Sequence, residues 1–312
     1  MNFVSLLNTI ATLALIMATG FGLRRAGVID NVFSKNLSTL IVKVAQPMLV
    51  ISSLISLEYT RENLMRGLGA VVLSFALHTG MGIAAHFAVK GFRDADERKI
   101  SEFAIMFTNC GFIGFPIIES LYGKDGLFCG AFYVVGFHLF IWTWGMAILS
   151  RGRNDIKLTP KKIFVNFGTI PCLIGFILFL IPWPMPAFLV KTTDYLASLA
   201  TPISVLITGS LIATGSMRDL FGRFGNYAVS FLRLILFPVV VCVALKLCGV
   251  GEFMIIFGTV MAAMPSASVI TMFGELYDIN PGYASRIVGI TSMLCVVTLP
   301  LLVAFASFVA KM

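Results

Sequence analysis

The chain has 312 residues, 58% of them hydrophobic and 12% charged, with a mean hydropathy of +0.94 and a formal net charge of +8. A soluble domain of this size is not so apolar, so composition points to an all-α polytopic membrane protein. The positive charge is then a matter of topology, and no nucleic-acid partner is inferred from it.

Apolar runs of roughly twenty residues recur along the whole length. They predict helices at 3–23, 33–56, 67–89, 101–122, 127–149, 162–182, 188–213, 223–248, 253–276 and 283–308. No basic residue precedes the first run, and Arg24 and Arg25 follow it. That order is the reverse of a secretory signal, so the run is read as a retained first helix. The six cysteines include no C-x-x-C pair, and neither a disulfide framework nor a metal site is expected. No P-loop, H-E-x-x-H or nucleophile elbow occurs, so no enzyme chemistry is read and no cofactor is assigned.

The second helix carries Lys43 near its centre and Gln46 beside Pro47. Lys43 lies four residues before the proline, on the same helix side. It either contacts a substrate or snorkels its long stem toward water. The third helix holds His78 and His86, and the fifth His138. His78 is the histidine read as a candidate proton carrier, against a plain packing role.

The fourth helix contains NCGFIGFP, residues 109–116, with Asn109, Gly111, Gly114 and Pro116 near its middle. Glycine weakens a helix, and proline removes a donor and clashes with the preceding turn. Backbone groups freed in lipid persist only where protein or a wet cavity satisfies them. The ninth helix has its own interruption at Pro265, Ser266 and Ser268. Two interrupted helices in matching halves point to a transporter site whose half-helix N-termini face an anion. The alternative is a pair of proline kinks with glycines that let helices pack closely.

Arg233 lies near the middle of the eighth helix. An arginine there is costly, and its fork matches a carboxylate. It is read either as substrate-binding or as a structural cap on free carbonyls. Glu119 and Glu275 are read as interfacial carboxylates or as gates.

Lysines and arginines sort unevenly between alternate loops. One side receives Arg24, Arg25, Lys35, Lys90, Arg93, Arg98, Lys99, Arg151, Arg153, Lys157, Lys161, Lys162, Arg218, Arg223 and Arg286. The other receives Arg61, Arg66, Lys124, Lys191, Lys246 and Lys311. The bias predicts both termini outside the cytoplasm, in a multi-pass protein of the plasma (inner) membrane.

An offset of 155 residues aligns Pro47 with Pro202, Gly67 with Gly222, His78 with Arg233, Met106 with Met261, and Leu121–Gly123 with Leu276–Asp278. Five predicted helices per half make the second half inverted, which is a pattern of secondary transporters. The expected organisation is one membrane domain over 1–312, with repeats at 1–155 and 156–312.

The motif N-x-G-F-x-G-x-P with LYG after it, the Pro265–Ala267 P-x-A with Leu276 and Tyr277 after it, and the A-x-P at Pro47 and Pro202 resemble the auxin efflux carrier family. The likeness runs over the whole chain. It implies a fold similar to bile acid symporters and sodium/proton antiporters, with the fourth and ninth helices unwound and crossing. It implies scaffold helices over 3–56 and 162–213 that often form a homodimer, and a moving core over 67–149 and 223–308. Substrates in such families are small carboxylates, including auxin, malate and malonate. Asn109 matches an asparagine of the plant carriers' first crossing, whereas the second crossing here offers Ser266 and Ser268.

These readings converge on alternating-access transport of a small organic anion, either secondary active or facilitated. The substrate-binding candidates are Asn109, Gly111, Gly114, Pro116, Pro265, Ser266, Ser268, Arg233, Lys43 and Gln46. His78 is the candidate for proton coupling, and the coupling ion is left open between H+ and Na+. The competing readings are a cation/proton antiporter on the same fold and a membrane-embedded sensor. The lack of a central Asp in any predicted helix argues against the antiporter.

Overall fold

A computed structural model describes residues 3–57, 59–153, 165–181, 185–215, 222 and 224–312, apart from the side chains of Phe224, Glu275 and Leu276. The expected repeat junction at 155/156, the loop charges Lys157, Lys161, Lys162, Arg218 and Arg223, and the start of the predicted helix 162–182 lie outside the described residues. The described chain is helical throughout, with one isolated backbone bridge between Thr108 and Ser266.

Among the described residues, seven helices are long and apolar enough to cross a membrane. They are α1 (Phe3–Arg25), α2 (Asn31–Leu54), α3 (Arg61–Gly91), α5 (Gly114–Leu149), α7 (Ala187–Ile212), α8 (Gly225–Leu247) and α11 (Pro281–Lys311). Between them lie the shorter α4 (Ala95–Met106), α6 (Thr169–Leu180), α9 (Glu252–Ala263) and α10 (Val269–Leu276). The chain is thus a polytopic membrane protein, as its composition predicts. Side-chain oxygens of Asp30, Thr60, Asp94 and Asn280 accept from backbone N–H groups at the starts of α2, α3, α4 and α11. Such caps satisfy donors that the first turn of a helix cannot.

Where a helix over 101–122, interrupted near its middle, and another over 127–149 are expected, the structure sets the boundaries differently. Helix α4 begins earlier, at Ala95, and ends at Met106. Helix α5 resumes at Gly114 and runs on through Gly123, whose φ of 59° marks the reversal between the two predicted helices. That left-handed conformation is free of strain in glycine.

Three helices widen into π turns, at Ile41–Ala45, Ile141–Gly145 and Leu232–Leu236. Pro47 and Pro238 follow two of these turns by two residues. A proline clashes with the carbonyl four residues before it, and the wider turn gives that carbonyl room.

Helices α1 and α7 pack backbone to backbone. A methyl group added at Gly20 would lie 1.9 Å from the Leu206 carbonyl oxygen, and one at Gly209 would lie 1.9 Å from that of Met17. Small residues at such contacts let helices associate in lipid, where no hydrophobic drive brings them together. Helix α2 packs on α6 and α7, whereas α3 packs on α4 and α5, and α11 on α8, α9 and α10. Helices α4 and α9 are the most enclosed: Ile100–Met106 and Ile255–Ala263 are buried without interruption. That enclosure is what allows both to end in mid-protein.

Candidate functional site

Helices α4 and α9 stop short and leave two non-helical segments, 107–113 and 264–268, which cross where Thr108 and Ser266 pair. The crossing is held by main-chain bonds. The Asn109 N–H donates to the Pro265 carbonyl at 2.8 Å, and the Ala267 N–H donates to the Phe107 carbonyl at 3.0 Å. Side chains complete it. Ser266 Oγ donates to the Ala104 carbonyl at 3.0 Å, an acceptor that an unbroken helix would pair with the N–H of Thr108. The Ser266 N–H donates to Thr291 Oγ1 at 3.2 Å, on α11. Asn109 Nδ2 donates to Ser268 Oγ at 3.0 Å, and Thr208 Oγ1 lies 3.4 Å from the same oxygen.

Beside the crossing is a cavity of about 240 Å³. Its polar wall comprises Asn109, Ser268, Gln46 and His138, with Ser38, Thr108, Ser204 and Thr271. Gln46 Nε2 and His138 Nε2 are 3.2 Å apart, across α2 and α5. Gly111, Phe112, Ser268 and Val269 also line the cavity. Among the described residues, the N–H groups of these four have no backbone acceptor. Ser268 and Val269 stand at the start of α10, where the dipole favours negative charge, whereas Gly111 and Phe112 precede α5, whose first N–H groups at Gly114 and Phe115 already donate to the Asn109 and Gly111 carbonyls. The rest of the lining is apolar and rich in rings: Phe112, Phe137, Trp142, Phe167 and Phe273. No charged side chain lines it among the described residues.

The sequence-predicted residues divide at this point. Asn109, Gly111, Ser268 and Gln46 line the cavity, and His138, set below His78 by the sequence, lines it as well. Ser266 faces away from it, toward α4 and α11. Pro265 supplies the carbonyl that Asn109 binds and is part of the scaffold of the crossing. Gly114 and Pro116 are not in the break. They occupy the first turn of α5, where a proline loses no intrahelical bond. Lys43 is exposed on α2, its ammonium 5.8 Å from the centre of the Phe167 ring, so it reaches the cavity wall only from behind.

Arg233 and His78 also lie off the cavity. Arg233 is fully buried in the π turn of α8, and its electrostatic neighbours are Tyr133, Cys110 and Cys295. Cys110 follows Asn109, and Tyr133 precedes the cavity residue Val134, so the guanidinium sits one layer of side chains behind the site. His78 Nδ1 lies 2.7 Å from the Ser74 carbonyl, which places a proton on that nitrogen. Its ring packs among Phe107, Tyr133, Phe137 and Phe140. This is the environment of a packing histidine.

One ion cluster was not anticipated. Glu102, on α4, is buried and pairs with Arg151 at the end of α5 and with His86 Nδ1 of α3 at 3.3 Å. In the sequence Glu102 stands at the junction of the charged stretch Arg93–Lys99 and the apolar run that follows, where a carboxylate is unremarkable. Among the described residues, no group of three or more His, Cys, Asp or Glu is placed to hold a metal ion.

A family model described as "membrane transport protein" matches residues 5–303 of the chain. An uncharacterized transporter of Methanocaldococcus jannaschii is 22% identical over 284 residues, covering 88% of this chain and 90% of that protein. An uncharacterized transporter of Methanothermobacter thermautotrophicus is 24% identical over 313 residues, covering 96% and 98%.

Proposed function

The chain belongs to the membrane transport protein family, the auxin efflux carriers its motifs resemble, and from that premise we propose that it carries a small organic anion by alternating access. The observation that carries this reading is the cavity at the crossing. It brings the N–H groups at the start of α10, which have no backbone acceptor among the described residues, together with the Asn109 amide and the Ser268 hydroxyl. A carboxylate accepts from such donors and completes them.

The lining also selects among carboxylates. With the head group at Asn109 and Ser268, the remainder of the ligand meets Phe137, Trp142, Phe167 and Phe273. An unpaired charge buried there loses its hydration without a partner. The proposed substrate is therefore a monocarboxylate with an apolar body, in preference to a dicarboxylate such as malate or malonate. A cation antiporter would need a carboxylate in the cavity, and among the described residues none lines it.

The 5+5 inverted repeat is part of the same reading. Helices α5 and α10 begin 155 residues apart, at Gly114 and Val269. The positive-φ residues Gly123 and Asp278 keep the same spacing. The packing of α1, α2, α6 and α7 supports a scaffold, and that of α3, α4, α5, α8, α9, α10 and α11 a core. The scaffold helices are the proposed face of a homodimer.

Cavity residues come from Ser38 to Gln46 of α2, Val134 to Trp142 of α5, Ser204 to Leu211 of α7, Phe167 and Gly168 ahead of α6, and the crossing segments from Thr108 to Phe112 and from Ala267 to Phe273. Along α2, α5 and α7 the lining runs from mid-helix toward the ends at Asn31, Leu149 and Ile212, next to the arginine-rich loops. With those loops in the cytoplasm, this is an inward-facing state. The test is uptake and charge movement in proteoliposomes with phenylacetate, benzoate, malate and malonate, at fixed pH and across a pH step. Saturable phenylacetate flux, lost in Asn109→Ala, is expected. Silence for every carboxylate with a response to sodium or protons alone would overturn the reading.

A further inference from the structure

Arg233 presents an unusual account. Its guanidinium is fully buried, and Nε, Nη1 and Nη2 all lack a hydrogen-bond partner among the described residues. Buried ions are ordinarily paired, because an uncompensated one forfeits its hydration. Arginine does not escape by losing its proton. Elsewhere the chain obeys the rule: buried Glu102 has Arg151 and His86. Lys43, a cation near the middle of α2, is exposed. The π turn that holds Arg233 packs on α4, α9 and α11, the helices that form and brace the crossing.

A cavity with no charged lining among the described residues, read as built for an anion, with the buried, unpartnered Arg233 guanidinium a layer behind it, has a simple electrostatic complement. We infer that Arg233 is the fixed counter-charge of the transported monoanion and moves with the crossing, so that the loaded core is electrically neutral and the empty core carries one positive charge. The inference rests on the carboxylate reading of the cavity. The low dielectric around Arg233 lets its charge act across that layer without contact.

A consequence follows for the transport cycle. Membrane potential acts on the step in which net charge crosses the field. One elementary charge is worth about 2.3 kcal/mol per 100 mV, or about fiftyfold in that step's equilibrium. An inside-negative potential draws the empty, positive core into its inward-facing position, ready to load from the cytoplasm. It leaves the loaded step alone. The potential therefore favours export of the anion by speeding the return of the empty carrier. Arg233 is on this account a positioning residue for charge, touching no substrate atom.

The experiment compares two fluxes of radiolabelled phenylacetate in proteoliposomes under imposed potentials. Exchange, with saturating phenylacetate on both sides, uses only the loaded step; net efflux needs the empty step too. Wild-type exchange is expected to be insensitive to potential while net efflux responds. In Arg233→Gln the sensitivity is expected to move to exchange, with apparent affinity about tenfold weaker. Arg233→Lys is expected to keep the wild-type pattern. Wild-type exchange as voltage-sensitive as net efflux overturns the inference, and that comparison needs no variant to fold. Glutamine and arginine proteins with the same pattern also overturn it, leaving carboxylate transport intact. Absence of any carboxylate flux overturns the transport reading and this one with it.

Discussion

Ser266 and Ser268 stand two residues apart in the second crossing segment, and the structure gives them opposite duties. Ser266 Oγ is buried and donates to the Ala104 carbonyl, while its N–H is held by Thr291. Replacing Ser266 with alanine leaves that carbonyl without the donor that the broken helix no longer provides. Leaving a buried acceptor unsatisfied costs about 1–3 kcal/mol. For a chain this long, that corresponds to a fall in unfolding temperature of roughly 2–6 °C, at about 2 °C per kcal/mol. Ser266 does not line the cavity, so KM for phenylacetate should stay within about twofold of wild type. Ser268 lines the cavity and bonds Asn109. Its alanine variant loses one neutral hydrogen bond, about 0.5–1.5 kcal/mol of stability, but removes a donor from the anion. A hydrogen bond to a charged group contributes about 1.5–3 kcal/mol, so KM should rise roughly 10- to 100-fold. The assays are thermal unfolding in detergent by intrinsic fluorescence and saturation kinetics in proteoliposomes. A Ser266→Ala protein with normal stability and weakened KM, or a Ser268→Ala protein with the reverse, would refute the assignment of sides.

Gln46→Ala and His138→Ala should each weaken phenylacetate uptake, and a double-mutant cycle should show coupling of about 0.5–1.5 kcal/mol, because the two nitrogens are 3.2 Å apart. Independent effects would place the pair outside the site. Gly209→Val forces a side chain into the Met17 carbonyl, and a loss of about 1–3 kcal/mol or more is expected in thermal unfolding. A stable valine variant would show that α1 and α7 separate freely. Arg151→Ala strands a buried carboxylate at Glu102, whereas Glu102→Gln removes the charge itself. The arginine variant should therefore unfold at the lower temperature, and the opposite order would refute the ion-pair reading.

Much of the architecture was legible because lipid leaves few choices. Twenty-residue apolar runs mark the spans. Glycine and proline inside two such runs mark places where a helix is interrupted. Asn109, Gly111 and Ser268 were found in this way, and all three line the cavity. What sequence punctuation does not convey is where the break begins and which way each residue points. Pro116 reads with Asn109, Gly111 and Gly114 as part of the interruption, yet it sits in the first turn of α5, the one part of a helix where proline loses nothing. The real break precedes Gly114. His138 and Glu102 were passed over for a related reason. His138 is a lone polar residue in an apolar run and Glu102 adjoins a charged stretch, and the partner of each, Gln46 or Arg151, is far away in sequence.

Arg233 shows how far a residue's chemistry can be read before its surroundings are known. An arginine at mid-helix signals a buried cation, and the structure bears out the burial. The sequence offered two duties, a direct fork on the substrate and a cap on free carbonyls. The geometry supports neither contact, since the guanidinium is off the cavity and all three of its nitrogens lack acceptors among the described residues. Three carbonyls of the crossing have donors of their own: Ala104 from Ser266, Pro265 from Asn109, Phe107 from Ala267. None of these three calls on the arginine, and its nitrogens bond no carbonyl among the described residues. What remains is its charge, acting over a short distance through a medium that screens it poorly. A residue held at such a desolvation cost, with no bond to show for it, is best explained by the ligand whose charge it balances.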